Sequence, residues 1–293
     1  MSEHLHAFGD DGTRLYVRKA PGGAVADAPT ALFSDGIACD GFIWKYLWNE
    51  VQALLPVAHW NYRGHGRSAP PADPAHIELR DHATDLDRVR RAVGDPPVVL
   101  FGHSMGCQVA LEACRIRPEG VRGLVLVCGS SGRITHTFRG TDMLANALPG
   151  VIDWVERNAS LVRGVWGRIP PETALRLGKY TGDFDTGSVI LDDLIPYLTH
   201  IVDIDLPMFL RMLRSAGEHS AKDLLPKLDV PALVIAGEKD SFTPPEYAEE
   251  MAASLPQGEL LMLPGATHVA PLERREVVRE RIAKFVSEKI LAA

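Results

Sequence analysis

The chain reads as an α/β protein with a mostly parallel central sheet and helices on both faces. Two observations predict this. Short runs rich in apolar and β-branched residues, too brief for helices, alternate with longer segments whose apolar residues recur at helical spacing. Most of these runs are apolar at nearly every position, which suits strands covered on both faces by crossover helices.

The elements follow in order. Residues 4–8 and 13–18 flank Gly9-Asp10-Asp11-Gly12 and form an opening hairpin. A loop of small residues leads to a strand at 30–33. Segment 43–55 carries a wide apolar face and reads as one helix, on which Trp44 and Trp48 lie at i, i+4 and are expected to be buried. After the strand at 57–60, segment 81–93 is a helix with Asp81, Asp85 and Asp87 early and Arg88, Arg90 and Arg91 late, an order that suits the helix dipole. A strand at 97–101, a helix at 108–114 and a strand at 121–128 come next. Further on, 231–236 and 259–263 are strands, Pro244-Pro245 opens a helix between them, and 277–290 is an amphipathic closing helix.

From Ser131 to about Lys222 the strand signals stop, and helical segments punctuated by Gly and Pro take over. This divides the chain into a core of residues 1–130 and 223–293 and an inserted helical cap, 131–222. The cap carries Phe138, Met143, Trp154, Trp166, Tyr180, Phe184, Tyr197, Met208, Phe209 and Met212, more apolar bulk than a simple crossover needs. Part of it is expected to pack internally and part to roof a cleft.

The chemistry centres on Gly102-His103-Ser104-Met105-Gly106, a Gly-x-Ser-x-Gly pentapeptide between a strand and a helix. Glycine at both ends removes Cβ atoms that would collide in so sharp a turn, and the turn lifts the serine oxygen above the sheet edge. The following helix points its positive amino end at the same place. Ser104 is therefore the candidate nucleophile. A serine hydroxyl needs a general base and a group that orients the base. Asp240 lies just past the strand at 231–236, and His268 lies in the loop that leaves the strand at 259–263. In a parallel sheet both loops fall at the edge that carries Ser104. Glu238, two residues before Asp240, is the competing acid.

In this order of Ser104, Asp240 and His268, the chain resembles the α/β-hydrolase family, in particular its cap-bearing esterase, lactonase and carbon–carbon-bond hydrolase members. Arg63-Gly64-His65-Gly66-Arg67-Ser68 matches the family's Arg-Gly-x-Gly-x-Ser loop, and Gly237 to Asp240 and Gly265 to His268 match its Gly-x-x-Asp and Gly-x-x-His endings. The resemblance implies an α/β-hydrolase fold, a Ser104–His268–Asp240 triad and an oxyanion hole formed by the backbone N–H groups of Ile37 and Met105. A dehalogenase or epoxide hydrolase would carry aspartate at position 104.

The loop expected to carry Ile37 departs from the family pattern. Asp35 stands before Gly36 where the family has histidine, and Asn61 replaces the family's aspartate ahead of Arg63. One expectation is a reciprocal exchange, with Asp35 and Asn61 paired as acid and amide; the other is independent variation at the two positions. Asp35, Gly36, Asn61 and Arg63 are accordingly expected to support the site.

Composition limits the alternatives. The formal net charge of −7 provides no basic stripe, so no nucleic-acid partner is expected. No apolar run is long enough for a membrane span, and the start lacks the basic and apolar regions of a secretory signal, which gives a cytoplasmic location by default. Cys39, Cys107, Cys114 and Cys128 lack metal-ligand spacing; the last three suit small buried side chains, whereas Cys39 is expected to be open to thiol reagents. His4, His6 and His65 suit structural or surface roles, and His103 points away from Ser104. There is no zinc-helix pair of histidines and no phosphate-cradling loop, so neither metal nor cofactor is expected.

The resulting expectation is a serine hydrolase that cleaves an ester or lactone of a small to medium apolar substrate through an acyl-enzyme. Carbon–carbon bond hydrolysis and perhydrolysis on the same triad remain open. So does a receptor-like protein that binds a ligand without appreciable turnover.

Overall fold

The computed structural model describes residues 2–292, apart from 24, 26, 138–140, 167, 169 and 171–188. Eight strands form one sheet: β1 (Glu3–Phe8), β2 (Arg14–Ala20), β3 (Thr30–Ser34), β4 (Val57–Trp60), β5 (Val98–His103), β6 (Val121–Val127), β7 (Ala232–Gly237) and β8 (Gly258–Leu263). Their spatial order is β1-β2-β4-β3-β5-β6-β7-β8. β2 runs antiparallel to both β1 and β4, and every other pairing is parallel. The carboxyl ends of β3, β4, β5, β7 and β8 consequently share one edge of the sheet.

Alternate strand residues supply two separate cores, because successive side chains leave a strand on opposite faces. On one face Leu32, Leu100, Leu126 and Val234 pack under α2 (Leu79–Ala92) and α3 (Met105–Ile116). On the other, Phe33, Phe101, Val125 and Ile235 pack under α1 (Trp48–Leu54) and a closing helix, Arg275–Phe285. Phe33 is fully buried, with Trp44, Trp48 and Phe101 at ring-centroid distances of 5.0, 6.0 and 4.7 Å. Truncating such a residue to alanine typically costs about 3–5 kcal/mol.

Three local expectations are corrected. The helix expected over 43–55 is divided: a 3₁₀ turn, Phe42–Trp44, precedes α1. The chain enters it through Gly41 at φ 105°, where a Cβ would sit 3.0 Å from the His59 ring, so the turn tightens around that imidazole. Both tryptophans are buried all the same. The closing helix ends at Phe285 and continues as one π turn, Val286–Ile290. In α2, Asp81 serves a capping box with Glu78, but Asp85 does more than suit the dipole. It is wholly buried and accepts two hydrogen bonds from Arg63.

Between β6 and β7 the described elements are helical: α4 (Ile134–Thr137), α5 (Met143–Arg157), α6 (Ala159–Trp166), α7 (Leu191–Asp203) and α8 (Leu206–Glu218), followed by a 3₁₀ turn at Leu225–Lys227. Leu148, Ile152, Val155, Val162 and Leu210 form a small core of their own, with Trp166 and Phe209 against it. Met208 and Met212 join the core under α2 and α3, whereas Met143 and Trp154 are exposed. Phe138, Tyr180 and Phe184 lie outside the described residues.

Candidate active site

Ser104 sits between β5 and α3 with φ 54° and ψ −120°. A non-glycine residue held there stores strain of about 1–3 kcal/mol. The flanking glycines allow the turn to close, since a Cβ on Gly102 would lie 2.4 Å from the Gly106 carbonyl oxygen and one on Gly106 2.3 Å from that of Ser34. α3 starts at Met105, three residues ahead of the expected 108, so its amino end lies directly behind Ser104.

His268 lies between the other two residues. Its Nε2 is 2.9 Å from Ser104 Oγ, and its Nδ1 is 2.8 Å from Asp240 Oδ2. Asp240 is buried; its Oδ1 accepts from the N–H groups of Phe242 and Thr243, both at 2.9 Å, and Oδ2 accepts from the Thr243 hydroxyl at 2.9 Å. Carboxylate orientation is thus fixed before it meets the imidazole. Glu238 is exposed and accepts from the Gly265 N–H at 2.8 Å. Thr243 was not anticipated, although an Asp-x-x-Thr sequence after a strand is the signature of a side-chain-capped turn.

His103 makes no hydrogen bond to Ser104 among the described residues. Its Nε2 donates to the carbonyl of His268 at 3.0 Å, so it braces the backbone of that loop. Burial pushes its pKa down to about 4 and keeps the ring neutral.

The Asp35–Asn61 pairing is not what forms. Asp35 Oδ1 accepts from Trp44 Nε1 at 2.7 Å, and Oδ2 is 2.7 Å from His59 Nε2. Asp35 is thus paired with an imidazole, and that imidazole comes from β4 two residues before position 61. Asn61 instead accepts from the Arg67 N–H through Oδ1 at 3.1 Å. Behind it, Arg63 is enclosed by Asp85 at 2.6 Å, Asp11 at 2.9 Å and the His76 carbonyl at 3.0 Å. Arg63 thereby anchors the loop.

The loop after β3 is held against the serine. A Cβ on Gly36 would be 3.1 Å from Ser104 Cβ. Ala38, at φ 61°, donates its N–H to His65 Nε2 at 3.2 Å, while His65 Nδ1 donates to the Arg63 carbonyl at 2.8 Å. His65 accepts only while neutral, and burial lowers its pKa to about 4. Neither Ile37 nor Met105 directs its N–H to a backbone carbonyl among the described residues. Cys39 is buried and desolvation raises its thiol pKa well above the ordinary range, which corrects the expectation that it is open to thiol reagents.

Residues 56–274 match the profile of the alpha/beta hydrolase fold. The chain belongs to that family. It is 28% identical over 285 residues to polyketide synthase ThaQ of Burkholderia thailandensis, a match that spans 93% of this chain but 13% of the synthase. It is also 28% identical over 268 residues to pimeloyl-[acyl-carrier protein] methyl ester esterase of Neisseria meningitidis serogroup A, covering 86% of this chain and 74% of the esterase. Among solved structures, the esterase EaEST from Exiguobacterium antarcticum superposes with a TM-score of 0.76 at 21% identity, over 98% of this chain and 100% of that one, a likeness of fold. The protein is a hydrolase of this fold.

Proposed function

We propose that the chain is a serine hydrolase cleaving a carboxylic ester or lactone of a small to medium apolar substrate. The observation that carries this reading is the placement of His268 within hydrogen-bond distance of both Ser104 and Asp240, beneath a strained serine at a helix amino end. The resemblance to a methyl ester esterase supports the ester class.

The reaction runs in two steps. His268 Nε2 takes the proton of Ser104 as Oγ attacks the carbonyl carbon, and Asp240 holds the imidazole in the Nδ1–H tautomer and stabilises its charged form. The oxyanion is bound by the N–H groups of Ile37 and Met105; loss of one such donor costs roughly 10²–10³ in turnover. The tetrahedral intermediate collapses, and the imidazolium returns its proton to the departing alcohol. Water, deprotonated by His268, attacks the acyl-enzyme and releases the acid. In this reading the segment 131–222 is a cap over the core formed by 1–130 and 223–293.

The test is a panel of p-nitrophenyl esters of graded acyl length, together with lactones and a ring-cleavage dienoate, with Ser104→Ala as the blank. Ester or lactone turnover that disappears in the variant upholds the reading. Turnover of the dienoate alone assigns carbon–carbon cleavage, and absence of turnover on every substrate contradicts it.

A further inference from the structure

A cavity of about 590 Å³ opens beside the sheet edge, between β2, the end of β4, the segment 40–49 and the first turn of α7. None of its lining residues is Ser104, Asp240, His268, Ile37 or Met105. Its size falls in the range of roughly 300–1,000 Å³ usual for small-molecule sites.

Two arginines dominate its polar wall. The Arg18 guanidinium lies 4.2 Å from the Trp48 ring centroid, and that of Arg67 lies 5.1 Å from the centroid of Tyr16. Their hydrogen bonds among the described residues go to hydroxyls, Arg18 to Ser2 at 3.3 Å and Arg67 to Tyr16 at 3.1 Å, and neither has a carboxylate partner there. A guanidinium stacked on an aromatic ring keeps its edge N–H groups available for a planar, two-oxygen acceptor. Lys45, by contrast, is already paired with Asp193. Asn61 is committed to the loop, its Oδ1 accepting from the Arg67 N–H at 3.1 Å, which ties the Arg67 backbone to the end of β4.

The remaining wall sets the rest of the ligand. Half-buried Phe42 offers apolar surface, and Asp40 and Asp192 share the lining. Those acids disfavour a dianion and tolerate a single negative charge beside the arginines. We propose that this cavity binds a monocarboxylate with an apolar body, its carboxylate held by Arg18 and Arg67. The site is separate from the serine and shares two walls with the loop beside it. His59 and Trp44, which line the cavity, are the two side chains that hold the Asp35 carboxylate.

The proposal is tested by calorimetric titration of the full Ser104→Ala chain, in which hydrolysis cannot interfere, with phenylacetate, phenylacetamide and inorganic phosphate. Saturable binding of phenylacetate and none of the amide is expected, weakened about tenfold or more by Arg18→Gln and by Arg67→Gln. If Arg18→Gln does not fold, Arg67→Gln, at an exposed side chain, decides alone. Phenylacetate at saturation should also leave Ser104 of the native chain open to sulfonylation by phenylmethylsulfonyl fluoride. No binding of phenylacetate, unchanged affinity in the arginine variants, tighter binding of phosphate, or complete protection of Ser104 would each overturn it.

Discussion

Asp35 and His59 lie 2.7 Å apart, joining the loop after β3 to β4 beside the proposed nucleophile. With Trp44 on its second oxygen, the Asp35 carboxylate is 1% exposed and committed to two donors, so it does not face the substrate. What matters at this position is that the loop carrying Ile37 is tied to the sheet.

Asp35→Ala therefore leaves the indole N–H of Trp44 and the imidazole of His59 without their buried acceptor. Each buried group so abandoned costs about 1–3 kcal/mol. A lower Tm is expected, together with a kcat reduced about tenfold or more and a KM changed far less, because loosening the loop that carries the proposed oxyanion donor affects chiefly the transition state. Steady-state kinetics beside thermal melts check this. An unchanged kcat would show that the loop keeps its shape without the clamp.

The acid of the proposed triad is tested by three substitutions. Asp240→Asn forces the wrong imidazole tautomer and is expected to lower turnover by about 10³–10⁴. Thr243→Val removes one hydroxyl from Asp240 Oδ2 while two backbone N–H groups still hold Oδ1, so a loss of only several-fold is expected. Glu238→Gln, at an exposed side chain bonded to Gly265, should leave kcat unchanged. A large loss in Glu238→Gln with little in Asp240→Asn would reassign the acid.

Stability should fall steeply in acid. Burial lowers the pKa values of His65, His82 and His103 from 6.5 to about 4, 3 and 4. Below 6.5 the unfolded chain takes up protons that the folded chain refuses, so stability present at neutral pH is lost as pH drops from 6.5 toward 4. The slope reaches roughly 4 kcal/mol per pH unit when all three contribute. His82 is wholly buried, and its ring lies 4.9 Å from that of Tyr62. His82→Phe should accordingly keep the fold and lose less Tm than the native chain between pH 7.5 and pH 5. Equal losses in the two proteins would show that His82 takes no part in the acid transition.

Much of this architecture is legible in the sequence because its central strands, β3 to β7, are buried on both faces and its turns are punctuated by glycine. The expected strands mark all eight observed ones within a few residues, and the Gly-x-Ser-x-Gly turn locates Ser104 without reference to anything distant. Asp240 and His268 could be placed at the same edge because parallel strands all end there. Contacts made across the fold were not legible. Nothing local in His59 or Trp44 indicates that both converge on Asp35, and Asp85 in α2 looks like a dipole-matched acid until Arg63 is seen against it. The break near Trp44 was also hidden, since the apolar spacing of 43–55 is helical even where the chain tightens around His59.

The most direct test of the central claim is intact-mass analysis of the protein quenched in acid during turnover of a p-nitrophenyl ester, followed by peptide mapping. The account predicts an acyl adduct on the peptide containing Ser104, absent from Ser104→Ala, which should also lose turnover while keeping its Tm. An adduct on another residue, or a Ser104→Ala variant that hydrolyses the ester at the native rate, would contradict it.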